Sequence, residues 1–280
     1  ARLNGFVVFV RRGLPGDRVR ARVTKVKRNH AEALAVEVLE PSAQRVDAPC
    51  AHYPACGGCR FQDLSYEAQA AAKEKQVADA LRRIGGLSAP PLEPIEPAAE
   101  VFHYRNKLEY SFTQTPAGPA LGFHRAGRWD EVLEVERCWL TTDLGNAVRD
   151  AVRDWSRAER LEAYDQAEHT GYLRHLVLRE GRNTGQLLVQ LVTAAGERFD
   201  RDELVEVLRR FPEVRSVQWS VNESPAEVTN LPTTLLWGDE AIEEELCGLR
   251  FRVRPNAFLQ TNTAMAERLY ELAGEYAGLT

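Results

Sequence analysis

The chain has 280 residues, 36 of them Lys or Arg and 41 Asp or Glu, with 44% hydrophobic and 28% charged residues. That length suits two or three domains, and that balance excludes a fibre or a disordered tail. No run of about 18 apolar residues is present and the first residues resemble no signal peptide, so a membrane partner is not expected and the expected location is the cytoplasm.

The formal charge of −5 is unevenly spread. Residues 1–46 carry ten Lys/Arg against four Asp/Glu, and the remainder 26 against 37. A basic module on an acidic body points to a polyanion, nucleic acid first, with ordinary solvated charge as the alternative. The only methionine is Met265, so the chain reads as part of a longer protein.

Residues 1–46 read as short strands. Gly5 to Val10 is a buried run closed by the turn residues Gly13-Leu14-Pro15-Gly16. Arg18 to Val23 alternates, placing Arg18, Arg20 and Arg22 on one face, spaced to track phosphates. Leu34, Val36 and Val38 form a third alternating set. Evenly spaced short strands predict a small OB-like β-barrel.

Cys50, Cys56 and Cys59 then fall within ten residues, with Gly57-Gly58 letting the backbone curl between the last two. With Cys138 they can make a four-thiolate site, and absence of a secretory signal favours metal chemistry over a disulfide framework. Three clustered cysteines plus one remote favour a 4Fe–4S cluster over zinc, whose sites usually use two close pairs. Buried, unliganded thiols are the remaining alternative. Cys247 has no partner in sequence and reads as a packing residue.

A helix follows, capped by Ser65, with Val77, Leu81 and Ile84 on one stripe and Gly85-Gly86 at its end. Pro90 to Pro97 is an extended linker. From Phe102 to Gly248, strand pairs interleave with helices, predicting an α/β body with a mostly antiparallel sheet. Lys107 to Phe112, Leu121 to His124, Leu173 to Leu178, Leu187 to Val192 and Val214 to Val221 are strands. Helical faces are Leu144 to Trp155 and Leu204 to Phe211. Arg105 and Lys107, and then His124 and Arg125, put two cationic pairs at strand ends. A helix carrying Met265, Leu269, Leu272 and Tyr276 starts near Thr263. No G-x-G-x-x-G, phosphate-binding loop or serine elbow occurs, and no complete active site is present.

These motifs resemble the RumA/TrmA-type RNA uracil-5-methyltransferases, in particular the iron–sulfur branch acting on 23S ribosomal RNA. Val7 to Val10 with Leu14-Pro15-Gly16-Asp17 resembles a TRAM domain whose first strand precedes Ala1. Cys50, Cys56, Cys59 and Cys138 match the branch's cluster motif, and Tyr104-Arg105-Asn106-Lys107 with Gly122-Phe123-His124-Arg125 resembles its central domain. Phe258-Leu259-Gln260-Thr261-Asn262 resembles the motif opening the methyltransferase domain, which implies that Gln260 contacts S-adenosylmethionine.

The resemblance implies a multi-domain α+β protein. Its parts are a TRAM-like β-barrel at 1–46, a cluster segment at 47–62, and a helix and linker at 63–100 that pack on the methyltransferase domain. A central RNA-binding domain at 101–248 and the start of a Rossmann-like methyltransferase domain at 249–280 complete it. It further implies a monomer, RNA as partner, and S-adenosylmethionine and a 4Fe–4S cluster as cofactors. RNA contacts fall to Arg18, Arg20, Arg22, Arg105, Lys107, His124 and Arg125. The family's nucleophilic cysteine adds to uracil C6, C5 takes the methyl group, and a glutamate removes the C5 proton. Those residues are expected after Thr280, so no catalytic residue is assigned here and the chain alone is expected to be inactive. The alternatives are a transfer-RNA enzyme, a non-catalytic iron–sulfur RNA-binding module, and a radical-S-adenosylmethionine methylthiotransferase, disfavoured by the Cys-x5-Cys spacing.

Overall fold

The alternating N-terminal sequence forms four strands in a computed structural model that describes residues 1–278. They are β1 (Arg2–Leu3), β2 (Phe6–Arg11), β3 (Arg18–Val26) and β4 (His30–Glu40), in the order β1-β2-β4-β3. β2 runs parallel to β4 and β3 antiparallel to it. The expected closed barrel is a sheet whose edge strands β1 and β3 do not pair with each other. Three register shifts along β3 interrupt the strict alternation expected of its arginines. The run Gly5 to Val10 is not buried: Phe9 is 59% exposed, whereas Ala31 and Ala33 of β4 are buried. Among the larger apolar side chains of β2 and β3, Phe6, Phe9, Val23 and Val26 are exposed and Val7, Val8, Val10 and Val19 half-buried.

This sheet belongs to a compact unit made of Ala1–Pro49 and Phe61–Pro97. Its polar centre is Asp17. The Asp17 carboxylate accepts N–H bonds from Leu14 and Ser42 at 2.7 and 2.9 Å, and both oxygens accept from the Arg45 guanidinium at 2.9 and 2.6 Å. Arg45 also reaches Asp63 at 2.6 Å. Three chain segments are thereby pinned to one buried carboxylate. Helix α1 (Tyr66–Arg83) starts as expected, with the Ser65 hydroxyl accepting the Ala68 N–H. Its predicted stripe is open rather than packed, with Ile84 89% exposed. Within α1 only Ala68 is buried.

The second unit is Cys50–Arg60 with the chain from Ala98 onward. Its strands are β5 (Lys107–Thr115), β6 (Gly118–His124), β7 (Val132–Glu134), β8 (Leu173–Gly181), β9 (Gln186–Thr193), β10 (Val214–Val221) and β11 (Thr234–Gly238). The sheet order is β11-β10-β9-β8-β5-β6-β7, antiparallel except for β9–β10. Helices α2 (Asp143–Ala158) and α3 (Arg201–Arg209) contribute Val148, Val152, Leu204 and Leu208 to one core with Leu108, Tyr110, Leu176 and Leu191 of the sheet. Strand side chains alternate, so the opposite face carries Lys107, Glu109 and Ser111 of β5. Arg179, Val177 and His175 of β8 stand across from them in register. That polar face is where the site is built.

A hairpin of β12 (Ile242–Leu246) and β13 (Leu249–Val253) turns at Cys247-Gly248. Ile242 and Val253 pack on Leu188, joined by Ala257 and Leu259. Residues 249–253 thus pair antiparallel with the residues before them, where a Rossmann-like domain was expected to open; Leu279 and Thr280, the last two residues of that expected segment, lie outside the described residues. Helix α4 (Thr263–Ala277) is capped by Asn262, whose side chain accepts the Met265 N–H. Its predicted apolar face is largely open, with Tyr276 72% exposed.

The segment before α4 is bolted to the start of β5 by Asn106, which is 4% exposed. The Asn106 side-chain amide donates to the Gln260 carbonyl at 2.8 Å and to the Thr263 hydroxyl at 3.0 Å. Its backbone N–H donates to the Thr261 carbonyl at 2.9 Å. The Thr263 hydroxyl passes the chain on to the Glu244 carboxylate at 3.1 Å. That carboxylate, fully buried, also accepts backbone N–H bonds from Arg182, Asn183 and Glu245 at 2.8, 3.0 and 3.0 Å. Four donors keep a buried carboxylate solvated by protein instead of water.

Two substitutions test these anchors. Asn106→Leu leaves a buried hydroxyl and carbonyl short of a donor, so it is expected to cost about 2 kcal/mol. Hydrogen exchange should accelerate most at residues 260–263. Asp17 is held down to about 2 by the Arg45 hydrogen bonds, against the Asp value of 3.8. A lowered folded-state value stabilises above the unfolded value and loses that stability as pH falls toward 2. Asp17→Asn should therefore lower stability by about 2 kcal/mol at neutral pH. The difference from the unsubstituted protein should shrink as thermal melts are taken from pH 5 down to pH 2.

Candidate functional site

The polar sheet face, the segment before α4 and the cysteine loop enclose a cavity of about 710 Å³. Its walls include Arg105, Lys107 and Arg179, the apolar Phe258 and Leu259, and the backbone at Gly57-Gly58. Lys107 forms an ion pair with Glu109, which also accepts the Thr229 hydroxyl at 2.8 Å. Burial pushes the Glu109 carboxyl up, and the bonds from Lys107 and Thr229 outweigh it, leaving it below its ordinary value. Lys107 and Glu109 therefore largely cancel.

The uncancelled charge is on the arginines. Arg179 is 5% exposed and donates to the Ala257 carbonyl at 2.5 Å, while its Nε has no partner. Arg105 likewise has a buried Nε without a partner. Burial lowers the Arg179 value below that of a free guanidinium. Two guanidiniums with unspent donors beside an apolar and aromatic wall suit an anionic, partly flat ligand. Phe258 is 87% exposed, so its ring face is open for stacking. Gln260 is exposed; it sits between Leu259 and Thr261, which both line the cavity, and its carbonyl is held by Asn106.

The cysteine loop is docked onto β6 by backbone contacts. Gly57 N–H donates to the His124 carbonyl at 2.9 Å and Ala126 N–H to the Ala55 carbonyl at 2.8 Å. A Cβ on Gly57 would lie 2.7 Å from the His124 carbonyl oxygen, so only glycine permits this approach. Cys138 is fixed from the other side. Its N–H donates to the Asn146 side chain at 2.8 Å, and Asn146 returns a bond to its carbonyl at 3.0 Å.

All four predicted cysteines therefore lie in one unit. They are electrostatic neighbours: burial pushes the Cys56 thiol up, the Gly58 N–H lowers it, and Cys59, Cys138 and Cys50 each raise it. Burial likewise raises Cys138, opposed by the N–H groups of Leu140 and Thr141. Among the described residues, no three His, Cys, Asp or Glu side chains converge closely enough to hold a metal ion. Cys247 is elsewhere, exposed, with its N–H on Glu267 at 2.9 Å.

The predicted cationic contacts are mostly engaged. Arg18 pairs with Glu40, Arg20 with Glu37 at 2.5 Å, and Arg22 is exposed. Arg125 pairs with Glu131 at 2.5 Å. His124 pairs with Glu227 at 3.0 Å, which raises its pKa. Exposed pairs of this kind are worth about 0–1 kcal/mol, so a phosphate can compete for the arginines.

Sequence alone passed over Arg179, Asn106 as an anchor, and Glu244. Arg179 stands across from Lys107 only once the β5–β8 register is known. The one local signal was the position of Asn106 inside the cationic Tyr104-Arg105-Asn106-Lys107 stretch.

The TRAM domain family matches residues 1–36. An RNA methyltransferase of Bacteroides thetaiotaomicron is 36% identical over 100% of this chain and 66% of its own length. One of Bacillus cereus is 33% identical over 100% of this chain and 61% of its own. The solved tRNA (uracil-54, C5)-methyltransferase of Pyrococcus abyssi, in complex with S-adenosyl-L-homocysteine, aligns at a TM-score of 0.76 and 27% identity, covering 96% of this chain and 60% of that one. The chain spans about three fifths to two thirds of the proteins it matches. Over its whole length the chain is similar to RNA methyltransferases, and its first 36 residues match the TRAM domain family.

Proposed function

We propose that the chain is the RNA-holding and cofactor-flanking part of an S-adenosylmethionine-dependent RNA uracil-5-methyltransferase. The observation that carries this reading is the cavity in which Arg105, Arg179 and Phe258 meet the anchored segment bearing Gln260. A methyltransferase acting on a base must take it out of its stack, and a cavity with an aromatic wall and spare guanidiniums suits the base and its phosphate. S-adenosylmethionine supplies the methyl group, and Gln260 is the residue of this chain assigned to contact it. The Asn106 bond to the Gln260 carbonyl fixes that contact from behind.

Cys50, Cys56, Cys59 and Cys138 would hold a 4Fe–4S cluster. Support comes from their shared unit, their mutual influence, and the N–H groups on Cys56 and Cys138 sulfur. A thiolate cluster supplies a cross-link between the loop and the sheet, so its role here is to brace the RNA-holding surface. Arg18, Arg20, Arg22, Arg105, Lys107, His124 and Arg125 are the proposed RNA contacts. The cysteine pattern favours 23S ribosomal RNA; the Pyrococcus abyssi enzyme, by contrast, is a tRNA methyltransferase.

Methyl transfer by the complete protein to ribosomal and transfer RNA lacking 5-methyluridine tests the reading. Labelled methyl groups are expected at uridine C5, with ribosomal RNA the better substrate. Labelling at any other atom, or none, would refute it. Anaerobically purified protein is expected to contain about four irons per chain with broad visible absorption, lost in Cys138→Ser. Stoichiometric zinc without iron would overturn the cluster. Arg22→Ala is expected to lower the slope of log affinity against log salt by about 1, the signature of one lost phosphate contact.

A further inference from the structure

A second pocket, of about 150 Å³, opens on the same polar sheet face. Along β5, Glu109 lines the large cavity while Ser111 and Thr113 line this pocket. Lys107 to Ser111 is four residues, about 13 Å at the strand rise, so both sites fall within a short stretch of one RNA strand. Between them runs the segment after β10. It is held by Arg174, whose guanidinium donates to the carbonyls of Asn222, Ser224 and Ala226 at 3.0, 2.5 and 3.1 Å. Thr229 ties that segment to Glu109, and Glu227 ties it to His124 at 3.0 Å.

Three carboxylates line the pocket, Asp130, Asp165 and Glu227, and each has a hydrogen-bond partner. Glu227 faces His124 at 3.0 Å, Asp130 pairs with Arg128 at 2.7 Å, and Asp165 accepts the N–H groups of Ala167 and Glu168. Arg174 donates through its Nη1 and Nη2 atoms to carbonyls and stacks on the Tyr164 ring at 4.2 Å, and its buried Nε has no partner. Such a site has no surplus cation for phosphate. The lining nitrogens that are buried without a partner are Arg174 Nε, His124 Nδ1 and His175 Nε2. His175 lines the pocket and is 6% exposed; its Nε2 has no partner, and Ser111 lies 3.4 Å from its Nδ1. Burial holds His175 down to about 4, so its imidazole is uncharged at neutral pH. Trp129, also lining the pocket, is 67% exposed and presents an open aromatic face.

We infer that this pocket captures one neutral, unstacked nucleobase of the bound RNA, other than the base in the large cavity. The Trp129 ring stacks on it, and Ser111 with the uncharged His175 imidazole hydrogen-bonds its edge. Three carboxylates in the walls, Asp130, Asp165 and Glu227, against the single guanidinium of Arg174 disfavour phosphate, so the site reads a base while the arginines of the large cavity take the backbone. This assignment rests on the RNA-binding reading above.

The test is an abasic scan. A short single-stranded RNA of mixed sequence, and versions of it lacking one base at each position in turn, are titrated against the protein by fluorescence anisotropy. One stacked base is worth about tenfold in affinity. The protein is expected to lose about tenfold at one abasic position beyond the target uridine. Trp129→Ala, at an exposed position, and Ser111→Val, which fills the pocket, are each expected to bind intact RNA about tenfold more weakly. They should also lose sensitivity to that one abasic position alone. RNA binding with the same abasic profile in the protein and in both variants would overturn the base pocket and leave the RNA reading standing. Absence of binding to any of these RNAs would overturn both.

Discussion

The buried amide of Asn106 is the constraint on which the site depends. Its two side-chain N–H bonds and its backbone N–H hold Gln260, Thr261 and Thr263 against the chain entering β5, between Arg105 and Lys107. Because Thr263 relays to Glu244, and Glu244 gathers three further N–H groups, the hairpin, the β8–β9 turn and the start of α4 share one polar junction. Such a junction is costly to leave half made, since each unpaired buried group forfeits its hydration. It fixes the cavity wall as a unit, so the placement of Gln260 does not depend on the exposed side chain finding its own partner.

At the other end of the cavity the chain solves a different problem. A loop with little apolar surface of its own has to lie flat on a strand end. It does so through backbone bonds at Ala126 and Gly57, with a contact that no side chain at Gly57 could share. Asn146 does the equivalent for Cys138 from the start of α2. The loop and Cys138 are therefore held independently, and burial together with Cys59, Cys138 and Cys50 raises the Cys56 thiol. The same glycine backbone that permits the approach also lines the cavity, tying the brace to the surface it supports.

The central sheet was legible wherever period-two alternation ran past four residues. Lys107 to Phe112, Leu121 to His124, Leu173 to Leu178 and Leu187 to Val192 all formed strands. Capping chemistry was equally local, so Ser65 and Asn262 start their helices. Burial was not legible. Phe9, Ile84 and Tyr276 carry the right period and are exposed, because a pattern states which face is apolar and not whether anything covers it. The hairpin of β12 and β13 was missed because Glu243 to Glu245 is a run of acid that hides a buried carboxylate. The cysteine motif was readable from spacing, while Arg179 and His175 required the strand register, which is a property of the fold and not of any short stretch.

The central claim is that a uridine of bound RNA sits on the helix-free sheet face beside the Gln260 segment. Photo-crosslinking of RNA carrying 4-thiouridine in place of the target uridine, followed by peptide mass spectrometry, measures that position directly. The account predicts crosslinks in residues 105–109 and 255–261. Crosslinks confined to residues 1–46, with none on the central sheet face, would contradict it.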